Sequence, residues 1–343
     1  MLPPGLQAGP APPNDDSPKQ RFLESNYIIR QVASGSFATV YLSIPKSTAD
    51  HLISDPTLSP DKLHSSLRQA IQAAKISKSP TLDMTSEMRI LKAIAEVSKP
   101  SPSFTLPHLI SSDPSAPPTW FTTPYLNGGT LTDLIREYQK PSSTLPPLPP
   151  SLLWHCISQM AHSLLFLHQG LTILRSPQGT PKRHSHDLWI PIIHKDIHPQ
   201  NLIFHTPSED SYPDLILSDF GISILQSDPS AQDVAWTNLK EKQISDMLCT
   251  LEQLANKIEG NGDGDEFLEI LFDQTPNFRR RGDEDAEDDA EREFLEKVIG
   301  LAEKRKKELW KPMPRGLREY FGGGKGVEDG ELEEFVRGLR AGR

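Results

Sequence analysis

The residues best equipped for chemistry lie between positions 194 and 221. His194-Lys195-Asp196-Ile197-His198-Pro199-Gln200-Asn201 puts a carboxylate and, five residues on, a side-chain amide into one short polar segment. Asp219-Phe220-Gly221 adds a second carboxylate after a separate apolar run, Leu215–Leu217. Phosphoryl transfer needs these types: a carboxylate to orient an attacking hydroxyl, and oxygen ligands to hold Mg²⁺ against a triphosphate. An Asp-Phe-Gly triplet alone recurs by chance. Its combination with an upstream Asp-four-residues-Asn loop, each after an apolar run, is far more specific.

Such groups need strands and helices to position them. Tyr27 to Ile44 alternates, is rich in β-branched residues and is broken by Ala33-Ser34-Gly35-Ser36, which predicts two strands around a small-residue turn. Residues 68–77 fit either a strand or a helix. Met84, Met88, Leu91 and Ile94 fall on one helical face, as do Leu153, Ile157, Met160, Leu164 and Leu167. Ile190–Ile193, Leu202–Phe204 and Leu215–Leu217 are short apolar runs of strand length, and the chain beyond about residue 243 reads helical. A β-rich first third followed by a helix-rich remainder predicts an α+β chain with two lobes.

In their order along the chain these segments resemble the eukaryotic-type protein kinase domain, as a divergent member, over roughly residues 27–340. The resemblance implies a bilobal protein-kinase-like fold: a small β-rich N-lobe over 25–126 and a larger helical C-lobe over 127–340. It implies ATP and Mg²⁺ as cofactors and transfer of the γ-phosphate to Ser or Thr hydroxyls of a protein substrate. On the same ground Asp196 is the catalytic base, and Asn201 and Asp219 are the metal ligands. The loop over the nucleotide is Ala33 to Val40, with Gly35, Phe37 and Ala38 in it and with Ala33 and Ala38 where the family has glycines. Lys75, in Ala73-Ala74-Lys75-Ile76, matches the strand lysine that grips the α and β phosphates, and Glu87 its partner on the next helix. Thr119 to Leu131 matches the last small-lobe strand and the hinge. There the backbone of Pro124 and Leu126 holds adenine, Thr123 guards the back of the pocket, Val40 and Ala73 roof the ring and Ile203 floors it. His194 and Phe220 pack together, and Asp246 braces the catalytic loop. Each residue has a plainer reading too: an ordinary hairpin at 33–40, a surface pair of Lys75 and Glu87, a Gly-Gly turn at 128–129, and core or surface positions for the rest.

Several departures bear on function. Lys195 replaces the arginine that receives an activation-loop phosphate, and lysine cannot make the same bidentate fork. His198, counted with the catalytic residues, stands where Ser/Thr kinases carry a phosphate-neutralising lysine, and an ordinary imidazole is mostly neutral at pH 7. No Ala-Pro-Glu follows Gly221, and 24 residues separate Gly221 from Asp246. The sequence His-x-Asp-x-His-Pro-x-Asn is also similar to the loop of aminoglycoside- and choline-type phosphotransferases, which take small-molecule substrates on the same fold. A pseudokinase scaffold that binds ATP is the third reading. The presence of Lys75, Asp196, Asn201 and Asp219 argues against it.

The remainder is organised by proline and charge. Of 343 residues 32 are proline, about twice the ordinary share. They mark residues 1–24 as a disordered tail and 141–150 as a stiff connector, with docking of a proline-reading partner the lesser alternative there. Insertions are expected at about 43–67 and at about 172–188. The second carries His184 and His186, whose spacing hints at a metal but fits a flexible polar loop better. Net charge is −10, and Asp283, Glu284, Asp285, Glu287, Asp288, Asp289 and Glu291 supply seven of those charges. That run predicts a solvated acidic loop at about 280–292, with a basic partner as the alternative. No general nucleic-acid binding is expected without a basic face. Two cysteines, Cys156 and Cys249, exclude a disulfide framework. No apolar stretch approaches a membrane span, and Met1-Leu2-Pro3-Pro4-Gly5 lacks the pattern of a secretory signal. An intracellular protein, cytoplasmic or nuclear, is expected.

Overall fold

The computed structural model describes residues 17–98, 106–175, 181–206, 211–231, 235–257, 284–323 and 326–341. The chain divides into two compact units: Met1–Thr85 with Leu109–Tyr125 and Val327–Arg343, and Ser86–His108 with Leu126–Gly326. This moves the expected boundaries. Residues from Val327 onward belong with the first unit rather than with a C-lobe ending at 340, and the helix after Thr85 belongs with the second.

The first unit is built on an antiparallel sheet of β1 (Asn26–Ser34), β2 (Ala38–Pro45), β3 (Gln72–Ser77), β4 (Ser111–Ser112) and β5 (Trp120–Pro124), in the order β1-β2-β3-β5-β4. Helix α1 (Pro18–Ser25) precedes it, started by Ser17, whose hydroxyl accepts the Gln20 N–H at 3.2 Å, and by Pro18 in the first turn. Residues 18–24 are therefore ordered helix rather than tail. Phe22 is fully buried and meets Trp120 edge-on at 5.1 Å, closing one face of the sheet with Ala74 and Ile76. Residues 1–16 lie outside the described residues.

The other face of the sheet is extended by the insertion. Ser43–Pro45 complete β2, and α2 (Lys46–Ser54) and α3 (Pro60–Ala70) follow before β3. The insertion expected over 43–67 is thus present between β2 and β3 and folds as two helices. Ser59 caps α3, and Leu63 and Leu67, four residues apart, bury a narrow stripe while the polar residues face outward. The ambiguous segment 68–77 resolves as helix to Ala70 and strand from Gln72. Leu42, Ile44, Leu63, Leu67 and Ile71 share one core with Val327, Leu332 and Val336 from the chain's last segment. The C-terminal helix, Asp329–Ala341, is pinned there by Arg68, which donates to the Val327 carbonyl at 3.2 Å and also pairs with Asp329.

The second unit comprises α4 (Thr85–Ser98), α5 (Leu131–Gln139), α6 (Pro150–Gln169), α7 (Trp236–Ala255), α8 (Glu284–Glu308) and α9 (Arg315–Gly323), with short antiparallel strand pairs. A reciprocal box of Thr130 and Asp133 starts α5. Helix α6 is apolar nearly all round and buried along its length, so it is the central helix of this unit. It stops at Gly170, whose φ of 62° suits glycine and whose absent Cβ would lie 2.4 Å from Trp189 Cβ.

Around α6 two expectations are revised. Residues 171–175 and 181–185 pair as β6 and β7, a hairpin where a loop was expected over 172–188. The rings of His184 and His186 lie 4.5 Å apart, and among the described residues no group of three or more His, Cys, Asp or Glu gathers to hold a metal. The acidic run is not a solvated loop: from Glu284 it forms the first turns of α8. Carboxylates suit a helix N-terminus, as Arg305, Lys306 and Lys307 suit its last turn. Ala290, Phe294, Leu295 and Val298 bury the inner stripe against α6. The proline-rich connector is tied in place, with Tyr138 donating to the Pro146 carbonyl at 2.7 Å and the Leu148 N–H to Lys257 at 3.2 Å. Among the described residues no helix is long and apolar enough to cross a membrane.

The shared core of the first unit makes a direct prediction. Leu332 is fully buried, so Leu332→Ala should destabilise by about 3 kcal/mol. Chemical denaturation, read by the shift of its midpoint, checks it.

Candidate active site

The second unit holds the catalytic-loop candidates in one hydrogen-bonded cluster. β8 (Ile192–Ile193) pairs with β11 (Ile224–Leu225), and β9 (Leu202–His205) with β10 (Asp214–Leu217). The loop 194–201 joins β8 to β9, and the Asp-Phe-Gly segment joins β10 to β11, so the pairings hold the two loops side by side. Gly128 lets the chain cross close to β9: its N–H donates to the Phe204 carbonyl at 2.8 Å, and a Cβ there would lie 2.7 Å from Phe204 Cβ. Thr130 bridges to Ile203, which is half-buried.

His194 ties the two loops together. Its ring is fully buried, with Nε2 at 3.0 Å from the Ser218 carbonyl and Nδ1 accepting the Asp196 N–H at 3.3 Å. The ring meets Phe220 edge-on at 4.7 Å, and the His194 carbonyl accepts from Ser223 Oγ at 3.0 Å. One donor and one acceptor nitrogen require the neutral imidazole. Burial lowers its pKa to about 4, against the opposing pull of the Ser218 bond and the Asp219 and Asp196 charges. Next to it Lys195 takes a φ of 70°, and Asp219 a φ of 66°. Left-handed backbone is unfavourable for lysine, and here the bonds from His194 and Asp196 on either side hold it.

Asp196 is oriented by its neighbours. Asn201 Nδ2 donates to the Asp196 carbonyl at 2.9 Å and to its Oδ2 at 3.0 Å. The Gln200 N–H donates to His198 Nδ1 at 3.2 Å, which puts the histidine's proton on Nε2, 3.3 Å from the same Oδ2. Oδ2 accepts from Asn201, while Oδ1 has no donor among the described residues. Asn201, with its nitrogen committed to Asp196, keeps its side-chain oxygen for another partner. The Asn201 carbonyl receives the Ser218 N–H at 2.8 Å, linking the loop to the residue before Asp219. Oδ1 of Asp219 accepts the Gly221 N–H at 3.3 Å. Beyond it Asp228 accepts the Leu225 N–H at 3.1 Å and pairs with Arg89 of α4 at 3.0 Å, so a carboxylate anchors this segment.

The first-unit candidates lie on the sheet. Ala33 pairs with Val40, Val40 with Lys75 and Lys75 with Phe121; one row on, Leu42, Ala73 and Thr123 are paired. Val40, Ala73, Lys75 and Thr123 therefore share one face, and Lys75 Nζ lies 6.0 Å from the Phe121 ring centre. Pro124 pairs with Gln72 and falls on the opposite face. The turn is closed by the Gly35 N–H on the Ala38 carbonyl at 2.9 Å, and Lys78 Nζ reaches the Gly35 carbonyl at 2.5 Å. Ala38 is buried, whereas Phe37 at the tip is 71% exposed. Leu126 begins the second unit, and Glu87 is buried in the first turn of α4 in that unit, so Lys75 and Glu87 fall in different units.

The expected brace, Asp246, pairs instead with Lys242 on its own helix at 2.5 Å. Gln243, three residues earlier, is the residue that reaches the loop: its Oε1 accepts the His194 N–H at 2.8 Å. A lone amide in the buried stripe of Gln243, Ile244, Met247 and Leu251 is the signal that could have located it.

Neither family models nor curated proteins match the chain. Among solved structures it is similar to the crystal structure of a BubR1 kinase domain, with 15% identity and a TM-score of 0.52 over 86% of this chain and 84% of that one. At this identity the likeness bears on fold alone, and the fold is kinase-like.

The buried His194 generates a pH prediction. Its pKa of about 4 lies below the value of 6.5 for an unperturbed histidine, so the folded state binds fewer protons between those values. Its contribution to stability is complete above 6.5 and is lost as pH falls towards 4. An NMR titration should show the His194 Cε1–H resonance unmoved from pH 8 down to about 5.

Proposed function

We propose that this chain is an ATP- and Mg²⁺-dependent protein kinase acting on Ser or Thr hydroxyls. The observation that carries the reading is the Asp196 carboxylate, with one oxygen held by Asn201 and 3.3 Å from His198 Nε2, and the other without a donor among the described residues. In this reading Oδ1 accepts the hydrogen bond of the substrate hydroxyl. It takes that proton as the new O–P bond forms and the bond to the β,γ-bridging oxygen breaks. Mg²⁺, when bound, supplies charge neutralisation at the triphosphate. Asn201, through its side-chain oxygen, and Asp219, through its carboxylate, are hard oxygen donors that suit it. Lys75 keeps the role of phosphate grip, with Glu87 as its partner. Catalysis is then placement plus electrostatics, on an Asp196 whose position is set before substrate arrives.

A second reading, phosphorylation of a small-molecule hydroxyl, is favoured by His198. That residue places an imidazole, not a lysine ammonium, 3.3 Å from Asp196 Oδ2.

The test uses purified protein and its Asp196→Asn variant with γ-labelled ATP, Mg²⁺ and a cell extract depleted of its own kinases. Label on macromolecules, reduced at least about a hundredfold in the variant with ATP binding retained, is the expected result. Label confined to metabolites supports the second reading. ATP binding without any transfer overturns both and leaves a scaffold.

A further inference from the structure

Behind the catalytic loop runs a buried chain of hydrogen bonds that ends on the acidic helix. The His194 N–H donates to Gln243 Oε1 at 2.8 Å, and Gln243 Nε2 lies 2.8 Å from His168 Nε2. His168 Nδ1 meets Glu291 Oε1, and the other carboxylate oxygen, Oε2, takes Gln169 Nε2 at 3.2 Å and lies 3.6 Å from Lys240 Nζ. Lys240 also pairs with Asp288 at 2.5 Å. His168 and Glu291 are 1% and 2% exposed, so these polar atoms have no solvent to fall back on.

The chain has a direction. A backbone N–H can only donate, so the amide of Gln243 must turn its oxygen to His194 and its nitrogen to His168. The imidazole must then accept on Nε2 and carry its proton on Nδ1. That tautomer needs an acceptor at Nδ1, and a carboxylate supplies one unconditionally. Burial works against charge on Glu291, but His168, Lys240 and Gln169 hold its carboxyl below the ordinary range.

We propose that Glu291 is a positioning residue for the catalytic loop. From the acidic stretch of α8 it fixes the proton of His168, which fixes the amide of Gln243, which holds the backbone two residues before Asp196. Its kinetic consequence rests on the phosphotransfer reading above; the relay itself does not.

Glu291→Gln tests it in the full chain. An amide at 291 can donate to His168 Nδ1, which moves the imidazole proton to Nε2, against the Gln243 nitrogen. The expected results are hydrogen exchange at the His194 amide faster by about tenfold or more, and kcat lower by about tenfold or more with KM for ATP nearly unchanged. Adding Gln243→Glu should restore both, because a carboxylate at 243 accepts from His194 N–H and from a proton on His168 Nε2. Unchanged exchange in the single variant, or a double variant no better protected than the single, overturns the relay. Should Glu291→Gln fail to fold, ¹⁵N NMR of the wild-type His168 ring decides: a proton on Nδ1 alone supports the relay, and a proton on Nε2 overturns it. Exchange and NMR need no catalysis, so a wild type that transfers no phosphate overturns the kinase reading and leaves the relay to be decided by these two measurements.

Discussion

The candidate site depends on one neutral imidazole in a place without water. His194 joins two loops that are distant in sequence, by donating to the residue before Asp219 and accepting from Asp196 itself. Neither bond could be exchanged for a solvent contact at that depth, so the ring acts as a fixed spacer rather than an exposed ligand. The left-handed backbone at Lys195 and Asp219 follows from it. A loop that must turn back on a buried ring at both ends has few extended conformations left to it.

Orientation at this site is passed between uncharged groups over most of its length. Asn201 sets Asp196 through a side-chain amide, and the Gln200 peptide N–H sets the His198 ring beside it. Gln243 does the same for the loop backbone from behind. Neutral donors and acceptors avoid the desolvation cost that a buried aspartate would incur beneath the loop. The buried charge of this network lies further out, on Glu291, where Lys240 is at hand.

What could be read in the sequence was what depends on residue type at fixed spacing. The carboxylate–amide loop, the Asp-Phe-Gly segment, the paired strands about 33–40 and the helix ending near Gln169 announce themselves through local pattern. What could not be read depends on partners far along the chain. Leu63 and Leu67 look like isolated apolar residues in a polar insertion until residues 327–336 cover them. The run 283–291 looks like solvated charge because Glu291 has the same letter whether it faces water or His168. The resemblance points to Asp246 as the brace, whereas the contact is made by Gln243, an amide three residues away that no motif marks.

The first unit takes three separate stretches of the chain, the last of them from Val327 onward, with the second unit's sequence lying between them. Strands β1 to β3 and the insertion helices are synthesised well before the segment 327–336 that completes their core. During translation Leu42, Ile44 and Leu67 must wait, uncovered on that side, while about 260 further residues emerge, on the order of ten seconds or more at ordinary elongation rates. The second unit draws no residue from Val327 onward, so its core can close before that of the first.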